Sequence, residues 1–146
     1  MSAMEIALEE ARAAARRGEV PVGAVVLAAD GSLLARAGNR VEETDAAAHA
    51  ELLALAAAAR KLGQPRLAGC DLVVTLEPCP MCAAAANLFR IRRLVFGAYD
   101  PKGGGVEHGP RIFSAASCNH RPEVIAGVRE ADCAALLRDF FAALRP

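Results

Sequence analysis

The sequence predicts an α/β domain in which helices pack against the faces of a mixed β-sheet. Two observations carry this. Short β-branched or apolar runs alternate along the chain with longer stretches rich in alanine and leucine, as strands alternate with the helices that connect them. The first two strand-like runs are joined by Asp30-Gly31, a tight-turn signal, so an antiparallel hairpin opens the pattern and the sheet must be mixed. At 146 residues the chain reads as one domain, 1–146, long enough to bury about two-thirds of the surface it exposes when unfolded.

Each element has its own signal. Ser2 with Glu5 forms a capping box ahead of Ile6, Leu8, Ala11 and Ala15 at helical spacing. Acidic residues fill the first half of this helix, and Arg12, Arg16 and Arg17 fill its end, which suits the helix dipole; Gly18 stops it. Val22 to Ala29 and Leu33 to Ala37 form the hairpin, and Asn39 to Ala47 is a polar loop. From about Ala48 to Leu62 nearly every residue favours helix, with Gly63 and Pro65 as the stop. Leu72 to Leu76 is a short buried strand, and Pro80 sits where a helix begins and its missing N–H costs nothing. Leu94 to Tyr99 is a further strand, and a glycine-rich loop from Asp100 to Arg111 follows it. Val124 to Val128 is the candidate for a fifth strand. A last helix places Cys133, Leu136, Leu137, Phe140 and Leu144 on one face, so Phe140 and its neighbour Phe141 read as core.

Composition narrows the function. Seventeen basic and seventeen acidic side chains cancel, which argues against a broad electrostatic grip on duplex nucleic acid. Arg90, Arg92, Arg93, Lys102, Arg111 and Arg121 nevertheless fall in one third of the chain, and either form a local basic patch or are dispersed over a solvated surface. No stretch approaches the roughly 18 apolar residues of a membrane span. Glu5, Glu9 and Glu10 stand where a secretory signal would be basic and then apolar, so a cytoplasmic protein is expected. Five cysteines in such a chain point to metal or catalytic use rather than disulfides.

Two segments carry chemistry: His49-Ala50-Glu51 and, about thirty residues on, Pro78-Cys79-Pro80-Met81-Cys82. Cysteines three apart on a helical turn share a face and can meet one metal ion, and a helix N-terminus favours thiolates. Two thiolates with one imidazole suit zinc. Cys70, Cys118, Cys133, His108 and His120 have no paired spacing with the motif, so three protein ligands and one open position are expected, the arrangement of a catalytic zinc. Glu51 can then stand beside the metal without binding it and move a proton. A redox dithiol is the alternative for Cys79 and Cys82, but it has no need of His-x-Glu upstream.

His-x-Glu followed by Pro-Cys-x-x-Cys is the signature of zinc deaminases acting on nucleic-acid bases. Beyond it, the chain resembles the bacterial tRNA-specific adenosine deaminases, in the cytidine and deoxycytidylate deaminase superfamily. The matching stretches are Glu19-Val20-Pro21-Val22-Gly23-Ala24-Val25, Ala48-His49-Ala50-Glu51 and Val74-Thr75-Leu76-Glu77-Pro78-Cys79. They continue through Arg93-Leu94-Val95-Phe96-Gly97-Ala98, Asp100-Pro101-Lys102, Asn119-His120-Arg121 and Cys133 to Leu137 with Phe140-Phe141. The resemblance implies a three-layer α/β/α cytidine-deaminase-like fold with a mixed five-stranded sheet, one zinc ion per subunit, and a homodimer. It also implies hydrolysis of adenosine to inosine at the wobble position of a tRNA anticodon. In that chemistry a zinc-activated hydroxide attacks C6 and Glu51 carries the proton. Asn39 matches the residue holding the target nucleoside. Ala50 is a further expected substrate-binding residue, Asp100, Lys102 and Asn119 match residues near the anticodon loop, and Phe141 and Arg145 fall where the terminal helix approaches RNA.

Two other readings compete. A deaminase of a free base or nucleoside (guanine, cytosine or cytidine) could use the same zinc site but needs no basic rim. A binding module could hold zinc for structure alone; the intact Glu51 and the missing fourth ligand count against it.

Overall fold

A computed structural model describes residues 1–145. Helix α1 (Ala3–Arg16) begins where the Ser2 hydroxyl accepts the Glu5 N–H at 3.2 Å. Strands β1 (Gly23–Leu27) and β2 (Leu33–Gly38) form the expected hairpin, with the Ser32 N–H held by Asp30 Oδ1 and Gly31 at φ +87°. Helix α2 (Ala50–Leu62) ends on Gly63 in the left-handed region at φ +67°. Then come β3 (Asp71–Leu76), α3 (Pro80–Leu88), β4 (Arg93–Ala98), a short 3-10 turn (Ile112–Ser114), β5 (Glu123–Ile125) and α4 (Glu130–Leu144).

The sheet order is β2-β1-β3-β4-β5. β1 runs antiparallel to β2 and β3, whereas β3, β4 and β5 are parallel, so the sheet is mixed and five-stranded as the resemblance implies. Alternate strand residues serve opposite faces. Ala24, Val26, Leu72, Val74, Leu94 and Phe96 pack with α2 and α3, through Ala54, Leu55, Ala58, Ala83 and Ala86. Val25, Val73 and Ala98 pack with Met4, Ala7, Leu8 and Cys133 of α1 and α4. Three layers result.

The buried face of α1 is Met4, Ala7, Leu8, Ala11 and Ala14, so the expected Ile6 and Ala15 lie at its margins. Small residues are required there because helix and strand backbones touch. A Cβ on Gly23 would lie 1.9 Å from the Ala7 carbonyl oxygen, and one on Gly38 2.7 Å from that of Glu10. Helix α4 departs further from expectation. Cys133 is buried and Leu136 and Leu137 pack against the sheet, but Phe140 is only partly covered and Phe141 and Leu144 are exposed. The core reading of Phe140 and Phe141 is therefore corrected: the last turns of α4 border open cavities rather than the packed sheet face.

The basic third of the chain does not form one patch. Arg92 and Arg93 pair with Asp71 at 3.0 and 3.5 Å, and Arg93 with Glu123 at 2.7 Å. These residues mark the starts of β3, β4 and β5, the opposite edge of the sheet from Lys102, which follows the end of β4.

Candidate metal and catalytic site

Chain direction places the site. β3 runs to its C-terminal end and turns directly into α3, and α2 enters β3 from below, so both helices begin at the same edge of the sheet. Open α/β sheets gather ligands at that edge, outside the C-terminal ends of their parallel strands. His49 is the N-cap of α2 and Cys79 the N-cap of α3, both with extended backbone. Each helix thus directs its positive end at the same point.

The His49 Nδ1 atom lies 3.6 Å from Cys79 Sγ and 3.5 Å from Cys82 Sγ. These three side chains can supply donor atoms all within 4.8 Å of one another, and among the described residues no other His, Cys, Asp or Glu joins them. A soft, compact donor set of two sulfurs and one imidazole fits a tetrahedral zinc with one position left for solvent. The Cys82 thiol donates towards Cys79 and, with His49 nearby, draws Cys79 down to about 4; Cys82 is held correspondingly high by the Cys79 thiolate and by burial. His49 is raised by its hydrogen bond with Cys79. The cluster holds protons that a divalent cation must displace.

Glu51 occupies the first turn of α2 and is buried. Burial pushes its carboxyl up to about 7, the poise of a group that both takes and gives a proton near neutrality. In the structure His49 precedes the helix, and its extended backbone lets both side chains line one cavity.

That cavity, of about 460 Å³, is lined by His49, Glu51, Cys79, Asn39, Glu19 and Asp100, with Phe140, Phe141 and Leu144 at the α4 side. Asn39 is tied from three directions. Its main chain joins Val22 at 3.1 Å and Arg17 Nη2 at 3.0 Å, while its Oδ1 accepts the Ala50 N–H at 2.8 Å. The carboxamide Nδ2 is left for the cavity. Ala50 is fully buried with its N–H given to Asn39, and it is absent from the cavity lining. Lys102 lines an adjoining groove with Tyr99, Arg138, Phe141 and Arg145, and Asn119 is exposed outside both. Asn39 and Asp100 therefore meet the metal cluster in one cavity; Lys102 and Asn119 do not.

Two further buried acids, which enter the sequence pattern only as parts of the matching stretches, also line the cavity. Glu19 accepts the Glu42 N–H at the cavity mouth, at 3.0 and 3.2 Å to its two oxygens. Glu77 is wholly buried between β3 and the 100–108 loop. Its signal was its place: it directly follows a strand buried along nearly its whole length and directly precedes Pro-Cys.

A family described as the cytidine and deoxycytidylate deaminase zinc-binding region matches residues 1–98. The chain belongs to this deaminase family. Among curated relatives of this deaminase, the tRNA-specific adenosine deaminase of Agrobacterium fabrum is 56% identical over 139 residues, covering 94% of this chain and 91% of the relative. That of Bacillus subtilis is 47% identical, covering 97% and 88%. A solved structure from work on A-to-I editing by tRNA:A34 deaminases superposes on the deaminase with TM-score 0.91 and 54% identity, over 92% of this chain and 98% of the other. The guanine deaminase of Nitrosomonas europaea is more distant, with TM-score 0.77 and 31% identity over 96% and 83%. The expected fold, zinc-binding character and deaminase class all hold.

Proposed function

We propose that this chain is a zinc-dependent hydrolase that converts adenosine to inosine at the wobble position of tRNA anticodons. The observation that carries this is the shared cavity in which buried Glu51 faces the His49, Cys79 and Cys82 cluster. His49, Cys79 and Cys82 would hold the zinc, which when bound supplies an acidified water at neutral pH. Glu51 would take one proton from the attacking water and deliver it to the ring nitrogen beside C6 as the water oxygen bonds to C6. It would then take the remaining proton from the new C6 hydroxyl and pass it to the amine as the C6–N bond breaks, so that water and adenosine become inosine and ammonia. Asn39 offers its Nδ2 to the nucleoside, fixed by the bond from Ala50.

The surroundings favour a polynucleotide over a free base. The cavity shares Phe141 with the neighbouring groove, which carries Tyr99, Lys102, Arg138 and Arg145. An aromatic and cationic track of this kind suits a single-stranded loop, whose unstacked bases enter a pocket at modest cost. It also reconciles RNA binding with zero net charge, because the positive groups are local. Asp100, Lys102 and Asn119 are assigned to the anticodon stem-loop on this reading. Exposed Met81 and Leu88, seven residues apart on one face of α3, support a homodimer that covers them. Among the described residues no helix is long and apolar enough to cross a membrane. A tRNA substrate supports a cytoplasmic location.

The test offers the purified protein an anticodon stem-loop with adenosine at the wobble position, alongside free adenosine, cytidine and guanine. Inosine and ammonia from the stem-loop are expected. Turnover of a free base but not of the stem-loop would replace this reading with the free-base one.

A further inference from the structure

After β4 the chain folds back over the metal cluster, and its close packing is visible at two glycines. A Cβ on Gly105 would lie 2.6 Å from Pro80 Cα and 2.9 Å from the Cys79 carbonyl carbon, and one on Gly104 would lie 2.5 Å from Glu77 Oε2. The Glu77 carboxylate organises this loop. Its Oε2 accepts the successive N–H groups of Val106, Glu107 and His108 at 3.2, 2.9 and 3.1 Å. Three consecutive amides converging on one oxygen form an anion nest, here filled by the protein's own side chain. Its Oε1 accepts the Asp100 N–H at 3.0 Å and the His108 Nδ1–H at 2.8 Å.

Among the described residues, His108 supplies the one side-chain donor to a carboxylate whose own side chain is 0% exposed. Losing such a donor leaves a buried acceptor short of a partner. The consequence reaches the cavity because Asp100, bonded to the same Oε1, closes the loop through its Oδ1 to the Gly103 N–H at 2.9 Å. Asp100 and Gly103 both line the cavity shared with His49 and Glu51. On its other side the His108 ring meets Tyr99 edge-on, with centroids 6.0 Å apart, and Tyr99 lines the groove beside Lys102.

We propose that His108 is a positioning residue which, through the Glu77 carboxylate, sets the Asp100–Gly103 wall of the cavity and the Tyr99 side of the groove for the bound RNA loop. The proposal rests on the wobble-adenosine reading above. Glu51 and His49 are held separately by α2, so a slack wall costs substrate placement more than the proton transfers. A displacement of even about 1 Å in a positioning group is expensive in catalysis.

The test uses the zinc-loaded full chain and the adenosine-containing stem-loop. His108→Ala is expected to raise KM about tenfold, with kcat within about twofold and zinc still bound. Asn carries a nitrogen at the same number of bonds from Cα, so His108→Asn is expected to restore most of the parent KM. Amide hydrogen exchange at Asp100, Val106 and Glu107 should quicken in His108→Ala and recover in His108→Asn. An unchanged KM in His108→Ala, or an Asn variant as impaired as Ala, overturns the proposal. If the parent itself does not turn over the stem-loop, the wobble reading fails instead. Exchange then still decides the clasp: unaltered protection in His108→Ala refutes it.

Discussion

The side-chain oxygen of Asn39 accepts the main-chain N–H of Ala50 at 2.8 Å, joining the end of β2 to the first turn of the helix that carries Glu51. One carboxamide thereby has two duties, since its oxygen ties the scaffold and its nitrogen remains for the nucleoside. The duties separate by substitution. Asn39→Ala should lower stability by about 1–3 kcal/mol, the cost of an unsatisfied buried donor, and also lower kcat/KM. Asn39→Asp retains the acceptor and removes the donor, so its Tm should stay near the parent's while kcat/KM falls at least about tenfold. Thermal melts and steady-state kinetics on the stem-loop distinguish the two.

Glu51→Gln keeps the shape of the side chain and removes its capacity to take a proton. Because Glu51 is not among the candidate ligands, zinc should remain at one per chain by elemental analysis. Deamination should fall by about 10²–10⁴, the usual worth of a placed acid–base group. A variant that deaminates at the parent's rate would remove Glu51 from the mechanism.

Lys102 lies in the groove beside the cavity rather than within it. Lys102→Glu should therefore raise KM for the stem-loop and leave kcat nearly unchanged. The rise should be steeper in low salt, because a phosphate contact is screened as ionic strength increases. Salt titration of KM is the measurement, and a salt-independent KM would take Lys102 out of the RNA site.

Gly23→Ala would set a methyl group against main-chain atoms of α1 that cannot rotate away, Ala7 O at 1.9 Å and Ala11 N at 2.7 Å. Helix and strand would have to separate, at a cost of about 1–3 kcal/mol or more. Urea denaturation should show the midpoint fall, whereas alanine placed at Gly31, whose Cβ direction is open, meets only its own backbone strain.

Cys133 is buried, and burial pushes its thiol up to about 11. Below that pH it is neutral, and at pH 8 the nucleophilic thiolate is about a thousandth of the population. Iodoacetamide at pH 8 should leave Cys133 unmodified in the folded protein and label it after denaturation, as peptide mass mapping would show. Labelling of the native state would mean that α4 opens from the sheet.

Much of the fold was legible because local rules and tertiary demands agree. Ser2, Asp30-Gly31, Gly63 and Pro80 each sit where the structure starts, turns or stops an element. The metal triad was legible for the same reason: Cys79 and Cys82 are joined by one helical turn. What was not legible shares another cause. Phe140, Phe141 and Leu144 carry a helical apolar period that cannot reveal the open cavities they border. Whether the basic residues meet was left open by the sequence, and β4 keeps two of them apart, because its start holds Arg93 and its end leads to Lys102.

By itself the sequence determined the elements, the donor set and the class of chemistry, because capping, turn formation and metal preference depend on residues a few positions apart. Tertiary structure alone decided which groups meet. Asn39 reaches Ala50, and Glu77 gathers Asp100 and His108, across separations that only strand order and the direction of α2 and α3 close. Such contacts depend on how the layers stack, and no short-range pattern in the chain encodes that.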